Sequence, residues 1–136
     1  MNYQSLCEAI ATSASSLGYA PTPKSELHKT LCTSGFPIAA IASPVLLRTE
    51  GKRERENLFL VSVNFMCANE LSDTERAAVI SRMAADTEQF VTLLRGAQDV
   101  LTVEVQESLV QEQSLTIAGE VALTLKATIR CVDCNH

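Results

Sequence analysis

At 136 residues with 46% apolar side chains, the chain is long enough for one domain with its own core and too apolar to stay disordered. A net charge of −5, from 11 basic against 16 acidic residues, excludes general nucleic-acid binding, which needs clustered Lys and Arg. Trp is absent and aromatics make up only 4%, so base-stacking and sugar-stacking platforms lack raw material.

The segment Met1 to Leu17 has no basic start and is interrupted by Glu8 and five Ser/Thr residues. It reads as neither signal peptide nor membrane anchor, and the expectation is a cytoplasmic protein with reduced thiols. Tyr3, Leu6, Ile10, Ala14 and Leu17 fall at helical spacing, which predicts a helix over 2–17 with Gly18 ending it. Its Ser-rich opposite side (Ser5, Ser13, Ser16) is expected to face solvent. Pro21 and Pro23 make 19–24 a connector without regular structure. Ser25 to Cys32 has room for two helical turns, with Leu27 and Leu31 facing inward and Gly35 closing the segment.

Phe36 to Leu47 is rich in Ala, Ile and Val, as in a strand buried on both faces or packed in an interface, and Pro37 and Pro44 confine it to a sheet edge or split it in two. Seven of the nine residues from Arg48 to Glu56 are charged, which predicts a solvated, mobile hairpin loop. The apolar segment has more hydrophobic face than two helices cover, and surplus apolar area marks an interface. The expected interface side chains are therefore Phe36, Ile38, Ile41, Val45 and Leu47, joined by Arg48, Lys52, Arg53 and Arg55 of the loop.

Asn57 to Ala68 alternates, with Phe59, Val61, Val63, Phe65 and Cys67 on one side. Ser72-Asp-Thr-Glu75 has capping-box spacing and opens a helix predicted over 72–95, roughly 33 Å long. Alternation returns at 100–106 and 120–132, with 107–119 extending or bulging from that hairpin. The sum is one α+β domain over 1–136, a mainly antiparallel sheet with two helices packed on one face. Phe59, Val61, Val63, Phe65, Ile80, Met83, Phe90, Leu123, Leu125 and Ile129 are its expected core.

Chemistry-bearing motifs are sparse. Five cysteines without a secretory signal argue against a disulfide framework. Cys131-Val-Asp-Cys134 can supply two thiolates to zinc, and His28 with Cys32, four apart, can supply the rest of a set, with His136 to spare. A second CxxC or close CxxH is missing, and Cys7, Cys67 and Cys131 sit at apolar positions where free cysteine packs as a small hydrophobe. The cysteines are expected reduced and metal-free. Glu104, Glu107 and Glu112 are expected on a solvated sheet face rather than as a general acid–base set. No nucleophile triad, phosphate-binding loop or dinucleotide fingerprint is present, so neither enzyme activity nor cofactor is expected.

The order of elements, with a strand that starts Phe36-Pro37-Ile38-Ala39-Ala40-Ile41, resembles the tail terminator proteins of long-tailed phages; related neck and tail-completion proteins share the look. The chain departs from them in its CxxC end and in Pro44. The resemblance implies a non-enzymatic subunit that forms a ring, usually hexameric, caps the tail tube and joins it to the head connector. Its partners would be copies of itself, tube and connector, with neither specific nucleic-acid binding nor membrane. It would be cytoplasmic during assembly and then part of the virion tail. Three other expectations stand beside this one: a metal- or ligand-binding module using the cysteine cluster, an enzyme with carboxylates converging across a dimer cleft, and a generic oligomeric interaction domain.

Overall fold

The computed structural model describes residues 1–33, 35–51, 55–68, 72–111 and 120–133. In chain order they form α1 (Tyr3–Ser16), β1 (Ala20–Pro23), a 3₁₀ turn (Lys24–Glu26), α2 (Leu27–Thr33), β2 (Ile38–Ile41), β3 (Val45–Glu50), β4 (Arg55–Cys67), α3 (Asp73–Arg95), β5 (Val100–Val110) and β6 (Val121–Asp133). The fold is α+β, and every strand pair is antiparallel except β1 with β2.

The central ladder is β4 against β6, in unbroken register from Arg55 opposite Asp133 to Cys67 opposite Val121. Period-two alternation then sends Phe59, Val61, Val63 and Phe65 to one face together with Leu123, Leu125, Ala127, Ile129 and Cys131. Those nine side chains are buried in a single cluster with Leu6, Ile10 and Ala14 of α1 and Met83, Phe90, Val91 and Leu94 of α3. Beyond β6 lies β5 as one edge; beyond β4, β2 pairs with its C-terminal half and β3 with its N-terminal half.

Local signals explain the helix limits. Asn2 caps α1 by accepting from the Ser5 amide at 2.8 Å. Gly18 (φ 91°) donates to Ser15 O at 3.0 Å and Tyr19 to Ala14 O at 3.2 Å, the paired closure that needs a left-handed residue. Ser72 caps α3 through the Glu75 amide.

Several expectations are corrected. The 19–24 connector contains β1, a two-proline edge strand paired with β2 on one side only, so the missing prolyl N–H groups cost no ladder bond. The apolar segment 36–47 is not one strand: Ala42 to Pro44 separate a buried β2 from an exposed β3. The charged loop shrinks, because Arg48 to Glu50 and Arg55 with Glu56 are strand residues. Arg48 pairs with Glu50 along β3 at 2.7 Å, and Arg130 of β6 reaches across the sheet to both Glu50 and Glu56 at 3.2 Å. Lys52 and Arg53 lie outside the described residues. The two helical turns expected over Ser25–Cys32 form as the 3₁₀ turn and α2, but on the sheet face opposite α1 and α3, where Leu27 and Phe36 pack on Ala40, Met66 and Ala122 in a second small core. Ile80 is half-buried at the margin of the main core, and Ser13 is buried rather than solvent-facing. The strand predicted over 100–106 continues to Val110.

Candidate functional site: the two sheet edges

The interface residues expected from sequence do not share one surface. Ile38 is fully buried, its β2 register opposite Met66 placing it on the sheet face opposite the main core, so it is removed from any interface. Phe36 and Ile41 are half-buried and pack against the two cores. Val45 and Leu47 are open, and Leu46 between them is open too, at 53%, 49% and 52% exposure. Three consecutive large aliphatic side chains at that exposure do not belong to this chain's core. Val45 lies opposite Leu60 on the outer face, Leu46 opposite Phe59 on the helix-covered face, and a register shift follows between Leu46 and Arg48. The bulge explains how all three emerge from one short strand. Arg48 and Arg55 are exposed beside them.

The far edge is built differently. α3 packs on β5 and β6, yet Val105 on the helix side, Leu109 on the outer side, and Leu101 and Val110 of β5 remain exposed. Between α3 and β5 runs an open trough of about 440 Å³ with Val91, Val105 and Leu125 among its apolar walls and Thr87, Glu88, Thr92, Arg95 and Ser108 at its rim. Arg95 reaches over the strand and donates to the Val103 carbonyl at 3.3 and 3.0 Å. Sequence reasoning missed Leu46 and this edge alike. The available signal was that a single helix stripe, narrowed by exposed Ala84 at its flank, cannot cover a strand as long as β5.

The zinc candidates are spread out. Cys131 is fully buried on the helix-covered face, its thiol directed at the Asn57 carbonyl at 3.8 Å. His28 belongs to α2, which covers the opposite face near Ala122, about 30 Å along β6 from Cys131 at strand rise. Cys134, His136 and the Cys32 side chain lie outside the described residues. No group of three or more potential metal ligands occurs among the described residues. Of the three carboxylates, Glu107 pairs with Lys126 at 3.7 Å, Glu104 is exposed on the outer face, and Glu112 lies outside the described residues.

One polar cluster was not foreseen. The Tyr19 hydroxyl donates to Asp86 Oδ2 at 2.7 Å, Arg82 stands 4.0 Å from the same carboxylate, and Arg82 Nη2 donates to the Cys67 thiol at 3.6 Å. Burial first, and then the Asp86 hydrogen bond, push the Tyr19 phenol well above its ordinary value. Burial likewise raises the Cys67 thiol, partly opposed by Arg82. The cluster ties the exit of α1 to α3 through these contacts. Among the described residues no helix is long and apolar enough to cross a membrane.

A scan against protein-family models finds no match, and a search of curated proteins finds no relative.

Proposed function

We propose that this protein is a non-enzymatic structural subunit that self-associates into a ring, in the manner of phage tail terminator proteins, closing a tail tube and presenting a surface to the head connector. The observation that carries the self-association is the β3 edge: Val45, Leu46 and Leu47 stand open to solvent on a strand hydrogen-bonded on one side only. Natural sheets keep such edges short, charged or covered, and an apolar one is a template for another chain. The sheet is open at both ends, and its two edges differ in composition. Unlike edges favour head-to-tail contacts, which close into rings, over two-fold contacts of like with like.

The acidic balance suits the role, because a lumen of like charge lets DNA pass without holding it. The assignment to a tail rests on the resemblance in element order and in the Phe36–Ile41 strand start. It is tested by deleting the gene from the phage or prophage that carries it and measuring tails by electron microscopy. The expected result is tubes of uncontrolled length that fail to join heads, restored by the gene in trans. Unchanged tube length and head joining would sink the terminator reading.

A further inference from the structure

We infer that the trough between α3 and β5 is the acceptor for the β3 edge of a second copy of this chain, so that one subunit's hairpin continues the next subunit's sheet. This rests on the self-association proposed above and names the surfaces that perform it. Three observations point to that occupant.

The first is apolar fit. The trough has Val91, Val105 and Leu125 in its walls, and the Val45–Leu47 segment carries the apolar side chains that such a surface would bury. The second is backbone. β5 and β3 are each paired on one side only, and Arg95, by occupying the Val103 carbonyl, bounds the free stretch of β5 at Glu104.

The third is charge. Arg48 stands exposed directly after the Val45–Leu47 segment, whereas 100–110 holds Glu104 and Glu107 and no base. An antiparallel addition with Leu46 beside Val105 keeps every side chain on its own face. Leu46 and Val105 both belong to the helix-covered face, while Arg48 and Glu104 both belong to the outer face and come opposite each other once the bulged Leu47 is passed over, as it is in the pairing of β3 with β4. A β3 edge pairing with itself would leave the trough and the exposed part of β5 uncovered.

Complementation of variants tests this. Leu46→Asp removes the donor strand and Val105→Asp removes the acceptor; both positions are exposed, and circular dichroism checks that each variant folds. Mass is measured by light scattering at high protein concentration and in the presence of purified tail tubes. Wild type should form closed species larger than a dimer, each variant alone should stay monomeric, and the equimolar mixture should stop at one-to-one dimers. Arg48→Glu and Glu104→Arg should each weaken assembly at least tenfold, and together in one chain restore it. If Val105→Asp assembles like wild type while Leu46→Asp does not, the trough is not the acceptor, although self-association survives. If wild type itself stays monomeric under both conditions, the ring reading falls along with the acceptor.

Discussion

Phe65 is gripped by aromatic edges on two sides, the Tyr19 ring centroid at 5.0 Å and the Phe90 centroid at 5.3 Å, both near-perpendicular. That contact joins the end of α1, the central strand and the middle of α3. Truncating Phe65 to Ala removes buried area and leaves a void that three separate elements cannot all close. Urea unfolding should show a loss of about 3–5 kcal/mol. Ile129 of β6 is fully buried in the same core. Ile129→Asp would bury a carboxylate without a partner and should prevent folding; a soluble folded variant would contradict the register of the last strand. The Tyr19 clasp carries a pH signature. Phenol and thiol are both raised in the folded state, so the stability they contribute is fully present below their ordinary values. It declines as pH climbs past 9.0 for Cys67 and 10.0 for Tyr19, where the unfolded chain loses protons first. Tyr19→Phe should cost roughly 1.5 kcal/mol at neutral pH, the scale of a hydrogen bond to a charged group. Its stability should then fall less steeply than wild type above pH 10, read from melting temperatures across an alkaline series.

At the scale of elements, the hairpin β3–β4 is held at its outer end by side chains rather than by a core. Arg130 bridges Glu50 and Glu56, and Thr49 donates to the Asn57 side chain at 2.9 Å. Arg130→Ala should therefore speed amide exchange across residues 45–50 while leaving β6 and α3 protected, as hydrogen exchange resolves residue by residue. Equal acceleration throughout the sheet would mean that Arg130 supports the fold rather than the hairpin. The same hairpin shows why the sequence was only partly legible. The strand over 57–68, the capped helix behind Ser72 and the strand over 120–132 announce themselves, because each buries one face and its period follows. In β3 the period is lost: a bulge after Leu46 breaks alternation, and charges that look like loop are satisfied across a ladder. β1 was hidden for another reason, since edge pairing asks nothing of its prolines and leaves no hydrophobic pattern. Of the side chains expected at an interface, Val45, Leu47, Arg48 and Arg55 are exposed. Ile38 and Leu46 changed places because Ala42 to Pro44 separate them into strands of different environment.

For the whole molecule, the proposed DNA-conducting ring requires that neither net nor local charge holds DNA. The chain carries −5 overall, but four of its 11 basic residues fall within 48–56. Three acidic residues share that segment, and Arg48 and Arg130 are tied to Glu50 and Glu56 at 2.7–3.2 Å. At about 0.1 M salt the Debye length is about 10 Å, so a phosphate near the hairpin meets the paired acids as well as the bases. Each phosphate contact that releases counterions steepens the salt dependence of binding. With acidic side chains interleaved among the bases of this segment, that slope should be close to zero. Filter binding or mobility shift with duplex DNA should therefore show no retention even at low salt. Reversing Glu50 and Glu56 to Lys should create binding that disappears as salt is raised. Salt-sensitive retention by the wild-type protein would show the hairpin to be a phosphate-binding arm, and an inert, DNA-conducting ring would then be the wrong picture of the assembled state.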